Sequence, residues 1–257
     1  MNELLFLSFA VLVCTLNLVA FRMGKMYLFI AIVVYTLMMN IFVLKQFTLF
    51  GFMTAGGNAM YGAIFLATDM LTEHYGKREA QKSIAIGFSV MLFFVIATQV
   101  LLAFIPNEFD FANESLKNLF TLAPRILFGS LTAYIIAQFL DITIYQKIRD
   151  WTNNKYLWLR NNLSTMVSQL VDTIVFTAVG MTAFSWLPFE GIFQPSQFWE
   201  VVAISYIIKI IVALLDTPFL YLSYKFLPKE LEHSPLHQTA GLRYFIRKIF
   251  AKLFKKD

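Results

Sequence analysis

Seven long apolar runs restrict what this 257-residue chain can fold into. A helix needs about 20 mostly apolar residues to cross the roughly 30 Å hydrocarbon core of a bilayer. Each run ends at charged residues, proline or a polar cluster, as expected where a helix leaves the membrane. The sequence therefore predicts an all-α integral membrane protein, a polytopic bundle of about seven transmembrane helices. The runs cover residues 4–21, 27–44, 47–71, 84–105, 119–144, 163–186 and 199–224.

Composition agrees with a membrane protein and argues against a soluble one. Hydrophobic residues make up 58% of the chain and charged residues 14%, too little polar surface to cover a soluble fold. The net charge of +5 could suit nucleic acid, but the basic residues lie in the loops between apolar runs. We therefore expect a lipid membrane and no nucleic acid as partner. Cys14 is the single cysteine, so no intramolecular disulfide can form.

The distribution of Lys and Arg predicts the orientation of the bundle. The six successive loops hold 2, 1, 3, 1, 4 and 0 of these residues, and the segment after Tyr224 holds 8. Basic residues accumulate in cytoplasmic loops, so this alternation places the N-terminus outside and the C-terminus in the cytoplasm. The first run carries Glu3 rather than a basic segment and lacks a cleavage site, which indicates an anchor helix and not a removed signal peptide.

Two segments depart from simple spanning helices. The third run contains Gly51, Gly56, Gly57 and Gly62, which favours either close helix packing or a broken helix that lines a polar cavity. Residues 227–257 form a basic tail that we expect to lie on the cytoplasmic membrane surface. Its apolar residues fall on one helical side: Leu242, Phe245, Ile249, Leu253 and Phe254.

Ionisable and amide side chains within the spans are the candidate functional residues. Each charge costs about 2.5–3.5 kcal/mol to insert, so it needs a function or a partner. In the sixth run, polar residues from Asn161 to Asp172 repeat every three or four positions and share one helical face. We expect Asp172 to pair with Lys209, and a purely structural pair is the alternative. The predicted substrate-binding residues are Asp172, Gln169, Asn161, Ser168, Lys209, Asp69, Asn58, Arg125 and Asp216.

Known catalytic motifs do not fit this chain. Glu73 and His74 are not part of an H-E-x-x-H motif, and His233 and His237 lack a further ligand nearby. Ser130 has no base at helical spacing, and the sequence lacks a Walker A motif. We therefore predict no enzyme, no catalytic residue, no metal site and no cofactor.

Residues 65–81, FLATDMLTEHYGKREAQ, resemble the signature of the queuosine precursor transporters, the vitamin uptake transporter (VUT) family. Three more segments are similar in the same order, at residues 133–149, 160–176 and 206–221, and the resemblance covers about residues 35–224. It implies a core of six transmembrane helices over residues 26–226, with an additional N-terminal helix over residues 1–25.

The resemblance also implies a function at the bacterial inner membrane. The substrate would be 7-cyano-7-deazaguanine, 7-aminomethyl-7-deazaguanine or queuine, taken up by a secondary transporter for queuosine modification of tRNA. A substrate-binding membrane subunit that requires a separate ATPase module is the alternative, and a non-transporting membrane scaffold or intramembrane enzyme is a third. A homo-oligomer and an energising partner both stay open.

Overall fold

The computed structural model describes residues 1–120, 124–182 and 194–231. A π-helical turn, Phe176–Met181, extends α7, and short 3-10 turns at Pro195–Gln197 and Lys229–Leu231 flank α8. Without the more polar α3 and the short α5, the helices of the described ranges give six segments long and apolar enough to cross a membrane. The main elements are α1 (Asn2–Met23), α2 (Lys25–Phe42), β1 (Gln46–Leu49), β2 (Phe52–Ala55), α3 (Gly57–His74), α4 (Lys77–Ala103), α5 (Asn113–Phe120), α6 (Pro124–Trp151), α7 (Leu157–Val175) and α8 (Phe198–Ser223).

The third apolar run is not one helix, which corrects the span predicted over residues 47–71. Its first part forms the antiparallel hairpin of β1 and β2, a departure from an all-α fold. Gly51 takes φ +84 in the hairpin turn, a conformation that glycine adopts without strain. A Cβ on Gly57 would lie 2.9 Å from the carbonyl oxygen of Met39. The glycines thus serve both the break and a close approach to α2.

Helix α3 lies at the centre of the bundle and contacts α1, α2, α4, α6 and α8. Every residue of α3 except Asn58 is buried. A helix enclosed by protein does not need a lipid-facing apolar surface, which explains why α3 carries polar residues and is less hydrophobic than its neighbours. Its 18 residues are about 27 Å long, so α3 also crosses the bundle.

The connections alternate between two ends of the bundle. At one, the basic end, Lys25 Nζ lies 3.2 Å from Glu79 and the Lys25 N–H donates to Glu230 at 3.0 Å. At the other, the hairpin end, Asn2 donates to the carbonyl of Thr48. The loops that meet at the basic end are those predicted to be cytoplasmic. Hydrogen bonds from Tyr75 and from the Lys25 N–H lower the pKa of Glu230 at this end.

Two predictions fall wholly or partly outside the described residues. The amphipathic segment of the tail belongs to residues 232–257, so its structure is not described. The backbone of Arg125 lies in the first turn of α6, but its side chain is outside the described part.

Helix α1 packs against α2, α3 and α8, and Asn17 donates to the Ala63 carbonyl at 2.8 Å. That α1 is additional to the family core stays a prediction.

Substitution of Gly129 should loosen the packing of α6 against the π-helical turn. A Cβ at Gly129 would lie 2.6 Å from the Cα of Gly180, so Gly129→Leu forces the helices apart. We expect a loss of about 1–3 kcal/mol in stability, measured as a lower melting temperature in detergent. The control Phe128→Leu alters the adjacent, exposed position and should leave the melting temperature unchanged. An unchanged melting temperature in Gly129→Leu would contradict this packing.

Cysteine labelling can test the predicted orientation. In a Cys14→Ala background, a membrane-impermeant maleimide should label Phe111→Cys in intact cells and Trp151→Cys only after lysis. Both positions are exposed, at 98% and 77%, and they follow α4 and end α6 at opposite ends of the bundle. Labelling of Trp151→Cys in intact cells would reverse the orientation inferred from the basic loops.

Candidate substrate site

A cavity of about 350 Å³ opens at the hairpin end of the bundle. The hairpin and helices α2, α3, α6, α7 and α8 supply its wall. Gln46 and Gln197 are exposed at its rim, whereas Asp172 and Lys209 are buried. Its volume is in the range of small-molecule sites, which combine apolar walls with a few polar groups. The cavity therefore suits a small, partly polar ligand.

The buried ion pair of Asp172 and Lys209 forms part of the cavity wall. Lys209 Nζ lies 2.5 Å from Asp172 Oδ2, and Tyr61 donates its hydroxyl hydrogen to Asp172 Oδ1 at 2.5 Å. The Lys209 ammonium also lies 5.0 Å from the centre of the Tyr61 ring. This confirms the predicted pairing. Each charge compensates the other, which offsets the desolvation cost of burying them.

Amide and aromatic side chains complete the cavity wall. Asn58 lies near the hairpin and donates to Thr54 at 2.8 Å, and Ser205 lies one turn from Lys209 on α8. Tyr61, Tyr134 and Phe176 contribute aromatic rings to the same cavity. A wall of this kind can hold a flat heterocycle between rings while charged and amide groups bind its polar edge.

Three buried aspartates form a second group, the carboxyl layer, between the cavity and the basic end. Ser168 donates to Asp141 at 3.0 Å, Thr165 contacts Asp69 at 3.5 Å, and Asn161 donates to Asp216 at 3.0 Å. None of these six residues lines the cavity described above. The carboxyl layer comprises Asp69, Asp141, Asp216, Asn161, Thr165 and Ser168.

A third polar group closes the bundle near the basic end. Arg160 donates two hydrogen bonds to Glu73, at 2.6 Å and 3.1 Å, and Tyr145 donates a third at 2.9 Å. Tyr224 also donates to Glu73, so the carboxylate has partners from three other parts of the bundle. Bidentate pairs of this kind are among the stronger charge-assisted contacts. The Glu73 cluster therefore holds α3, α6, α7 and the end of α8 together near the basic end.

The structure divides the residues predicted for the substrate site. Asn58, Asp172 and Lys209 line the cavity. Gln169 is buried one turn from Asp172 but does not line the cavity. The side chain of Arg125 is outside the described part. Four others belong to the carboxyl layer: Asp69, Asn161, Ser168 and Asp216.

Sequence reasoning did not single out three central residues: Tyr61, Asp141 and Arg160. Asp141 seemed to lie near the end of a run that stopped at residue 144, but α6 continues to Trp151. Arg160 seemed to lie in a loop before residue 163, but α7 begins at Leu157. Hydropathy undervalued both residues because Asp141 and Arg160 are polar but face protein rather than lipid or water. Tyr61 is one of 11 tyrosines and carries no distinguishing pattern.

Comparisons with known proteins agree with the family resemblance of the sequence. Residues 55–223 match the family model described as "Putative vitamin uptake transporter". The chain is 39% identical over 232 residues to the "Probable queuosine precursor transporter" of Bacillus subtilis, covering 89% of this chain and 97% of that protein. It is 26% identical over 178 residues to the "Queuosine precursor transporter" of Escherichia coli, covering 68% and 75% of the two chains.

No solved structure matches the chain. The family match includes α3, which bears Asp69, and the parts of α7 and α8 that bear Asp172 and Lys209. It extends over well over half of the sequence, and the identity to the Bacillus subtilis protein extends over nearly all of it. The chain therefore belongs to the vitamin uptake transporter family, whose signature its sequence resembles.

Proposed function

We propose that this protein takes up queuosine precursors, which are 7-deazaguanine bases, across the bacterial inner membrane as a secondary transporter. The names of its relatives support a substrate of this class. The observation that carries the proposal is the cavity whose wall contains the buried Asp172–Lys209 pair. With the predicted orientation, the hairpin end faces outside and the cavity is open to the substrate from that side.

The cavity groups match the polar edge of a 7-deazaguanine. That edge carries N–H donors at N1 and at the 2-amino group, beside the acceptor O6. A carboxylate oxygen has two lone pairs, so Asp172 can accept N–H donors while it keeps its bonds to Lys209 and Tyr61. The Lys209 ammonium is a donor for O6. Tyr134 and Phe176 offer ring faces for the heterocycle.

The residues behind the cavity have an indirect part in this proposal. Gln169 is buried behind the cavity, and the carboxyl layer joins α7 to α3, α6 and α8 and thereby holds Asp172 in position. We keep Asn58, Asp172 and Lys209 as substrate contacts and add Tyr61. Arg125 stays a predicted contact on the basis of the sequence.

Removing both charges of the pair should weaken substrate binding without unfolding the protein. A single change would leave one buried charge uncompensated, at a cost of about 3–5 kcal/mol, so the double variant Asp172→Asn with Lys209→Gln is the cleaner test. We expect binding of 7-cyano-7-deazaguanine to weaken about tenfold to a hundredfold, as charge-assisted bonds of about 1.5–3 kcal/mol are lost. Titration calorimetry of the purified protein measures this.

The matched control makes the same changes on the exposed surface, Asp150→Asn with Lys147→Gln, and should bind like the wild type. Normal binding by the Asp172 and Lys209 variant, with its melting temperature retained, would remove the pair from the site.

Uptake by the single chain in liposomes separates the two transport mechanisms. Autonomous uptake supports a secondary transporter, and uptake only after addition of an ATPase module supports the alternative, a substrate-binding membrane subunit.

In cells, the chain should restore queuosine in tRNA when a strain that cannot make the base is supplied with a precursor. Absence of queuosine with the protein present in the membrane would contradict the proposed substrate.

A further inference from the structure

The three aspartates of the carboxyl layer are buried without ion pairs. Asp69 and Asp141 have no exposed surface and Asp216 is 1% exposed. Within residues 1–120, 124–182 and 194–231, the buried cations Arg160 and Lys209 pair instead with Glu73 and Asp172. An isolated charge in such surroundings is costly. The layer therefore needs positive charge that these side chains do not supply.

Asp69 of α3 and Asp141 of α6 face the same turn of α7, because Thr165 contacts Asp69 at 3.5 Å and Ser168, three residues later, donates to Asp141 at 3.0 Å, and this brings the two carboxyl groups into contact. Two carboxylates repel at this separation, whereas one carboxylic acid and one carboxylate form a strong hydrogen bond. Such a bond requires one hydrogen on the pair. Ser168, which donates to Asp141, and Thr165, which contacts Asp69, hold the two carboxyl groups in place.

Unpartnered oxygen atoms provide independent support for a missing hydrogen. Asn161 is fully buried and its side-chain amide donates to Asp216. Its side-chain oxygen, Oδ1, has no hydrogen-bond donor in the described part of the chain. A buried acceptor without a donor costs about 1–3 kcal/mol. The layer thus has a surplus of acceptors over donors. The other unpartnered oxygens here are Asp69 Oδ1, Asp141 Oδ2, Asp216 Oδ2 and Gln169 Oε1.

We propose that Asp69 and Asp141 form a proton-binding site, and that its proton is the coupling ion of uptake. The proton enters from the hairpin end, binds the pair as one O–H bond, and leaves as that bond breaks toward the basic end, one proton for each neutral base. This rests on the proposed function. Asp172 is less suited to the task because its pair with Lys209 fixes its charge.

Neighbouring titratable groups leave the pair as the site of variable charge. Glu73 and Asp172 each have a cationic partner. Tyr61 of α3 donates to Asp172 and Tyr145 of α6 donates to Glu73, so the two helices that bear the pair also carry these phenols. Further buried titratable groups on the surrounding helices are Cys14 of α1, Tyr35 of α2, Tyr134 of α6, Arg160 of α7, and Lys209 and Asp216 of α8.

The variant Asp141→Asn tests the site without emptying it. An asparagine amide can donate to Asp69 as the protonated carboxyl would, so the hydrogen bond persists but no proton is exchanged. The control Asp110→Asn makes the same change in an exposed loop. Infrared difference spectroscopy of the purified protein, without substrate, should show a protonated-carboxyl band. The band should lose intensity in Asp141→Asn, with any remainder due to Asp216, and keep its full intensity in Asp110→Asn. A band unchanged in Asp141→Asn would overturn the proton site.

Liposomes that contain 7-cyano-7-deazaguanine test the coupling. With the membrane potential clamped at zero and the outside more acidic by one pH unit, one coupled proton supports about tenfold accumulation. We expect this from the wild type and from Asp110→Asn. Asp141→Asn should exchange labelled base across the membrane but reach only equal concentrations on both sides.

Two results would overturn proton coupling: accumulation by Asp141→Asn equal to that of the wild type, or accumulation by the wild type that follows a sodium gradient and not the pH gradient. If the wild type does not exchange the base at all, the proposed function fails, and the coupling with it. The infrared measurement would then still decide whether the pair binds a proton.

Discussion

The carboxylate of Glu73 needs partners that lipid cannot supply, and the bundle is assembled to provide them. Arg160 comes from α7, Tyr145 from α6 and Tyr224 from the end of α8. One buried charge thus fixes three helices against α3. The same requirement applies along the whole of α3, because it is enclosed by protein and every polar group on it must be satisfied from within.

This arrangement has a consequence for transport, because the cavity opens at the hairpin end and the Glu73 cluster lies between it and the basic end. In the proposed cycle, the opposite end must open after the substrate binds. Separating Glu73 from Arg160 would expose both charges to a partly apolar interior, which is costly unless water or new partners replace the contact. The closed basic end is therefore a stable resting arrangement, and substrate or ion binding has to supply the bias toward the other one.

The sequence predicted the features that depend on spacing and failed where burial depends on neighbours. Six apolar segments and the pairing of Asp172 with Lys209 follow from hydropathy and helical period. The hairpin does not, because its short apolar strands resemble the beginning of a spanning helix. Arg160 was missed because hydropathy ends a span where polar residues begin, and Asp141 lay only three residues before the predicted end of its run. A helix that faces other helices continues through such residues, so its true end is set by packing.

Two kinds of buried acidic site stand side by side in this bundle, and they suit different tasks. At Asp172, Lys209 and Tyr61 each donate to one oxygen, so the carboxylate has a cationic partner and each oxygen keeps a lone pair for the donors of a ligand. At Asp69 and Asp141, acceptors outnumber donors, so the number of bound hydrogens can change. A single carboxylate could not do both, because a fixed cationic partner that prepares it for a ligand also prevents it from taking up a proton. Tyr61 of the first site and Asp69 of the second lie about two turns apart on the same helix, α3, so the occupancy of one site can alter the energy of the other.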